Sequence, residues 1–386
     1  MKSNSNLDQY NNEFQYTTIS GRYITQDSLH NFYKKCASKF KVEVIGKSVE
    51  SRDIKTIEIG NGSCKVFAWS QMHGNESTTT KGLIDFINLL FSDDEYYNWF
   101  SSKYTFIAIP ILNPDGAFNY TRVNANNIDL NRDALNQSQP ESIVLRKLYD
   151  SFQPQFCLNL HDQRSIFGTE NNFKSASFSL LAPAFNEACD YNKTRLAAVN
   201  VINHIVYGLQ SFLPNQLGRF NDAFNENCVG DYFTKQGTPT ILFEAGHYKN
   251  DYNREEVRKI VFISFKLAFN QFYENDIVAT NLNKYLCIPH NLTCFYDFIF
   301  ENINYIENNS NKIINFALQY DEVLENGLII FKAKIVSFDI KDKFAHYYHN
   351  GSNLLDFIVK GNLVLNEYAN FTLGSGIVFK EGIKIN

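Results

Sequence analysis

Apolar positions along the chain fall into short continuous runs separated by longer stretches with a helical period. KVEVIG and IKTIEIG, on either side of the turn-prone KSVESRD, predict two strands. KVFAWS at 65–70, YTFIAIPIL, FCLNL at 156–160 and TPTILFE are apolar runs of strand length. Between them the period lengthens. Leu83, Ile84, Phe86, Ile87, Leu89 and Leu90 mark a helix beginning after residue 77, and further helices are predicted at 25–40 with Ser28 as cap, near 139–151, near 193–212 and at 254–273. Strands alternating with helices imply an α/β sheet covered on both faces. After about residue 275 the texture changes. A helix over 294–303 is expected there, followed by alternating runs such as GLIIFKAKIVSF and NLVLNEYANFTL that predict a small β-rich domain over 276–386.

Composition narrows the function classes. The chain has 386 residues, 44% of them hydrophobic, enough for one large core and a second, smaller one. A net charge of −5, from 36 basic and 41 acidic residues, gives no electrostatic footprint for nucleic acid. No window approaches 18 uninterrupted apolar residues, so no membrane partner is expected, and MKSNSNLDQYNNEFQY lacks the apolar stretch of a secretory signal. Seven scattered cysteines, an odd number, suit reduced thiols. A cytoplasmic setting is the resulting expectation; the oligomeric state is left open.

Candidate chemistry gathers at strand ends. His73-Gly74-Asn75-Glu76 lies where a strand meets a helix, and two ligands three residues apart there can face one metal ion. Alone, the tetrapeptide reads more readily as a helix N-terminus with Glu76 stabilised by the helix dipole. Other strands end in polar groups too: FCLNL at His161 and Asp162, TPTILF at Glu244, YTFIAIPIL at Asn113-Pro114-Asp115-Gly116. In open α/β sheets the crevice beyond the carboxyl ends of the strands is where ligands bind, so these clusters should converge. Arg122, Asn131 and Arg132 flank the Asn-rich loop between them, and a guanidinium pairs bidentately with a carboxylate. Each of these residues alone reads as a solvated surface group.

The ordered set, from GKSVESRDI through HGNE, NPDG and DLNR to His161 and ILFEAGH, resembles the zinc carboxypeptidases of the M14, funnelin type over somewhat more than half of the chain. The resemblance implies a mixed, mostly parallel central sheet flanked by helices, in a catalytic domain over residues 1–275. It implies one zinc ion per chain on His73, Glu76 and His161, with Glu244 as general base and Arg122 stabilising the oxyanion. Asn131 and Arg132 would grip the free carboxylate of a peptide or peptide-like substrate. The reaction implied is hydrolysis of the amide next to that carboxylate. Two departures leave the substrate open. Asn75 stands where digestive members carry an arginine, as in a bacterial HGNE-type branch, and LGRFNDAFNENCVGDYF lacks their substrate-capping tyrosine, with Tyr232 and Tyr248 misplaced for it. A murein-peptide amidase or an N-acyl amino acid deacylase is the alternative on the same zinc site. A catalytically inactive binding module of this fold is the alternative from outside enzymology.

In the loop 216–231, Arg219, Asp222, Glu226 and Asp231 are candidate pocket walls, and Arg164 a candidate grip for an acidic substrate. Cys228 reads as inert packing, and His247 is not expected to support the ligands. His346 and His349 sit in the β-rich tail with no acid at ligand spacing, so they read as surface residues.

Overall fold

Eight strands form the larger sheet: β1 (Lys41–Lys47), β2 (Asp53–Ile59), β3 (Cys64–Ser70), β4 (Tyr104–Ile109), β5 (Phe156–Asp162), β7 (Phe178–Leu181), β8 (Leu217–Arg219) and β9 (Thr240–Ala245). Two short strands, β6 (Phe167–Thr169) and β10 (Asn291–Thr293), lie outside it. This computed structural model describes residues 13–170, 173–273, 280–307, 310–352, 358–374 and 376–385. The sheet order is β1-β2-β4-β3-β5-β9-β7-β8, with β4, β3, β5 and β9 mutually parallel and antiparallel pairings at β1/β2, β2/β4 and β7/β9. The inner parallel strands are the continuous apolar runs, as strands covered on both faces must be.

The helices are α1 (His30–Cys36), α2 (Thr78–Ser92), α3 (Asp94–Lys103), α4 (Pro114–Asn119), α5 (Pro140–Phe152), α6 (Lys193–Leu209), α7 (Val229–Lys235), α8 (Glu255–Phe272) and α9 (Leu282–Leu286). The first helix is shorter than its pattern predicts. Ser28 does not cap it; its hydroxyl accepts from Thr25 N instead. On one face of the sheet, α2, α6 and α8 bury Leu83, Ile87, Ile202, Phe265 and Phe269. On the other, α5 and α7 pack Leu145, Tyr149 and Phe233 against Phe67 and Trp69. Because side chains alternate along a strand, this division sorts the functional positions. In β5, Phe156, Leu158 and Leu160 join the first core, so Asn159 and His161 turn to the face carrying α7. In β9, Ile241, Phe243 and Ala245 join the first core and Glu244 turns the same way as His161.

A buried ionic clasp ties residues 16–22 to the helices. Arg258 of α8 donates to both oxygens of Asp85 in α2 (2.6 and 2.7 Å), to Ile19 O (2.8 Å) and to Tyr16 O (2.9 Å). Asp85 also accepts from Tyr16 N, and Glu255 accepts from Gly21 N and Lys81 Nζ. Both Arg258 and Asp85 are fully buried.

The chain divides into two units, Met1–Gln163 with Ala176–Asn291, and Arg164–Ser175 with Leu292–Asn386, where sequence pattern placed a single boundary after residue 275. The second unit is built on an eight-stranded sheet around β11 (Phe295–Glu307), β12 (Ser310–Glu325), β13 (Leu328–Ser337) and β14 (Phe344–Asn350). The helix expected at 294–303 is therefore the strand β11. Phenylalanine and isoleucine suit a pleated surface, and β11 is held by pairing with both β12 and β14, information absent from a short apolar run. Phe298, Phe300 and Ile303 of β11 form its core with Phe316, Leu318 and Phe371. His346 Nε2 donates to Ser165 O (2.8 Å) and its ring stacks on Phe295, and His349 stacks on Phe300. None of the described helices is long and apolar enough to cross a membrane.

Candidate active site

The loop after β3 carries His73 and Glu76 into the start of α2, and its course is set by backbone contact. A Cβ at Gly74 would overlap the main chain of Gly116 and Ala117, so only glycine lets the loop lie on the Asn113–Gly116 turn. Asn113 braces the turn, accepting from Gly116 N and donating to Met72 O. Asp115, fully buried, accepts from Ser48 Oγ (2.7 Å), Glu50 N (2.9 Å) and Arg52 Nη1 (2.7 Å). The segments GKSVESRDI and NPDG are thus two halves of one brace beneath the histidine loop.

β3 and β5 are adjacent and parallel, which brings His161 beside that loop. His73 Nδ1 and His161 Nδ1 lie 3.1 Å apart; Glu76 Oε1 is 2.9 Å from the former and Glu76 Oε2 2.9 Å from the latter. Among the described residues this is the one cluster of three whose ligand atoms could share an ion. Two nitrogens bound to one tetrahedral zinc at about 2.0–2.1 Å would stand about 3.3 Å apart, so the donor set fits with little adjustment. His73 Nε2 faces Asp129 Oδ1 at 2.9 Å, which fixes its proton on Nε2 and turns the Nδ1 lone pair inward. Burial opposes protonation of both histidines. At His73 the carboxylates of Glu76 and Asp129 overcome it and raise the pKa, while at His161 burial prevails. Burial alone would raise the Glu76 carboxyl, but the two imidazoles hold it well below the usual range.

Glu244 pairs in register with His161 across β5 and β9, strands about 4.8 Å apart. Burial, then the negative charges of Glu76 and Asp162, push its carboxyl well above the ordinary range. Three carboxylates therefore crowd one buried region, an arrangement that a divalent cation offsets. Asp162 accepts from Thr78 N (2.8 Å) and Thr79 N (3.2 Å) and so caps α2.

Arg122 reaches the cluster from the loop, Nη1 to Glu76 Oε1 at 3.1 Å and Nε and Nη2 to Asp129 Oδ2 at 3.2 and 3.1 Å. Asn131 and Arg132 lie on the turn Leu130–Arg132. Asn131 Oδ1 accepts from Val229 N at the start of α7, and exposed Arg132 contacts Asn131 O and Cys228 Sγ. All seven residues singled out from the sequence are thus at or beside one region of the first unit. Asp129 was not singled out, and Asp115 and Asp162 were named only as members of polar strand ends, with no role of their own. Asp129 had a signal, an acid two residues before Asn131 in DLNR, but its partner is 56 positions away. Arg164 falls in the second unit. Tyr232 is buried beneath the Arg146 guanidinium and Tyr248 packs on the first core. Burial raises the Cys228 thiol to about 11, so it stays protonated at neutral pH.

Comparison with known proteins finds zinc carboxypeptidases. The family model described as zinc carboxypeptidase matches residues 25–209. Carboxypeptidase 2 of Trichophyton rubrum is 27% identical over 128 residues, 32% of this chain and 24% of that protein. Carboxypeptidase SOL1 of Arabidopsis thaliana is 30% identical over 131 residues, 31% of this chain and 27% of that protein. The matched segments thus span about a quarter of those relatives. Among solved structures, carboxypeptidase A from Helicoverpa armigera superposes with a TM-score of 0.52 at 17% identity, covering 70% of this chain and 81% of that one. A metallo-carboxypeptidase from Pseudomonas aeruginosa gives 0.50 at 15% identity, covering 64% and 69%. These two likenesses speak to the fold. The family match covers a little under half of the chain, so the comparisons show a likeness to zinc carboxypeptidases, and the solved structures show that fold.

Proposed function

We propose that this protein is a zinc metallocarboxypeptidase that hydrolyses the amide bond next to a free C-terminal carboxylate. The observation carrying this reading is the convergence of His73, Glu76 and His161, within ligand distance of one another, beside Glu244. Bound there, one zinc ion would supply an electrophile that polarises the scissile carbonyl and acidifies water. Glu244 accepts the proton of the attacking water and delivers it to the leaving nitrogen, so the base becomes the acid of the second half-reaction. Its burial suits the first half of that exchange, since a carboxylate whose proton affinity is raised takes the proton of water more readily than an ordinary one. Arg122 steadies the oxyanion, and Asp129 holds both Arg122 and His73 in orientation. Arg132 and the Asn131 amide bind the terminal carboxylate, which restricts cleavage to chain ends.

Replacing Glu244 by Gln abolishes turnover of N-acyl dipeptides while zinc content stays near one per chain; full activity in that variant refutes the assignment. A second reading keeps this chemistry and changes the substrate to a murein peptide or an N-acyl amino acid. Asn75, with its buried Oδ1 unpartnered, and the absence of a tyrosine from 216–231 favour it. Release of the terminal residue from ordinary peptides and from γ-linked muropeptides separates the two. An inactive binding module would bind no zinc under replete conditions. The seven free cysteines support a cytosolic setting for the reaction.

A further inference from the structure

β5 and β9 end side by side, and each end carries one half of the proposed chemistry. His161 pairs in register with Glu244, and the last rung between the two strands is Gln163 N to Ala245 O (2.9 Å). Among the described residues no backbone bond joins the two chains beyond that rung. Ladder ends of this kind are where a sheet opens first. Arg254 takes over there. Its Nη1 donates to Ala245 O (2.8 Å) and to Gly246 O, and its Nη2 donates to Gln163 O (2.9 Å). One planar guanidinium, on a residue 2% exposed, thus bridges the strand end behind the metal ligand and the strand end behind the base.

The backbone at residue 254 shows that the side chain, not the turn, calls for arginine. Arg254 precedes α8 in the left-handed region (φ 61°, ψ 33°), where glycine or asparagine sits with less strain. Capping does not require it. Asp251 caps α8 instead, accepting from Glu255 N and Glu256 N (both 2.8 Å). Strain kept at a position whose guanidinium reaches three carbonyls on two strand ends points to a role at the site those ends carry. A lysine ammonium, a point charge without the fork, cannot hold both ends in one plane.

We propose that Arg254 is a positioning residue that sets the distance between the metal ligand His161 and the base Glu244. This rests on the carboxypeptidase reading above. It is tested on the zinc-loaded full chain with Arg254→Gly, which suits the left-handed backbone, and Arg254→Lys, which keeps the charge but not the fork. In both variants kcat toward N-acyl dipeptides falls about 10–100-fold. KM and zinc affinity stay within about threefold of wild type, because Asn131, Arg132 and the histidine loop lie on other segments. Added guanidinium ion fills the space left in Arg254→Gly and restores most of the lost kcat, whereas sodium chloride does not. Hydrogen exchange reads the same effect without turnover: peptides spanning 156–163 and 240–246 exchange faster in Arg254→Gly and slow again with guanidinium. Unchanged kcat in either variant, a parallel loss of kcat and zinc affinity, or a kcat that guanidinium does not restore overturns the proposal. Should Arg254→Gly fail to fold, Arg254→Lys decides through the split between kcat and KM. If the wild type cleaves no peptide, the carboxypeptidase reading fails by itself. Exchange then still decides: faster exchange confined to those two peptides supports the bridge, and unchanged exchange overturns it.

Discussion

Asp129→Asn isolates what a carboxylate behind a metal-facing histidine contributes. In the native site one oxygen, Oδ1, accepts from His73 Nε2 (2.9 Å) and Asn131 N (2.8 Å), and the other, Oδ2, accepts from Arg122 Nε (3.2 Å) and Nη2 (3.1 Å). An asparagine has one acceptor oxygen and one donor amide, so it can serve His73 or Arg122 but sets N–H against N–H at the other. The loss is one charge-assisted interaction, about 1.5–3 kcal/mol. If the amide oxygen keeps Arg122, His73 loses its orienting partner, and zinc affinity falls about 10–100-fold. If it keeps His73, the oxyanion arginine swings free, and kcat falls with little change in affinity. Competition titration against a chelating dye reads the first outcome directly, without any turnover, and kcat reads the second. Zinc affinity within about threefold of wild type together with an unchanged kcat refutes the assigned role of Asp129.

Further outcomes follow from the same geometry. Gly74→Ala drives a methyl into the Gly116–Ala117 backbone, so the ligand loop must lift. Zinc binding is then lost and thermal unfolding falls by several degrees; retention of stoichiometric zinc would show that the loop has another seat. Asp231→Asn has a pH signature independent of activity. The native carboxyl is raised from 3.8 to about 7, so its contribution to stability is fully present below pH 3.8 and is lost as pH rises through 7. The ceiling is about 4 kcal/mol at 1.36 kcal/mol per pKa unit. Scanning calorimetry of the ligand-free protein should therefore find the Tm advantage of Asp231→Asn widening between pH 5 and pH 8, and a constant gap counts against a carboxyl raised by burial. Removing metal with a chelator should lower Tm, and adding zinc back should restore it in proportion to free zinc.

Periodicity located most strands and helices of the first unit because the inner strands are uninterrupted apolar runs and α8 has a clear amphipathic face. It also marked the candidate strand ends, since polar residues break each run abruptly at His161 and Glu244. Pattern failed where long-range pairing decides. The run at 294–303 is apolar enough for either element, and only β12 and β14, pairing on either side, make it a strand. The supporting acids were equally invisible. Asp115 looks like an ordinary turn residue until Ser48, Glu50 and Arg52 close around it from 63–67 positions away. The ligands could be named from the resemblance, but the reason that Gly74 must be glycine lies in a neighbouring backbone.

The buried clasp around Arg258 has a practical consequence for anyone designing shortened versions of this protein. The family match begins at residue 25, which invites an expression boundary there. Cutting at that point would delete the carbonyls of Tyr16 and Ile19 and the amide of Gly21, leaving a guanidinium and two acids with fewer partners in a water-poor interior. A boundary upstream of residue 13 avoids that penalty.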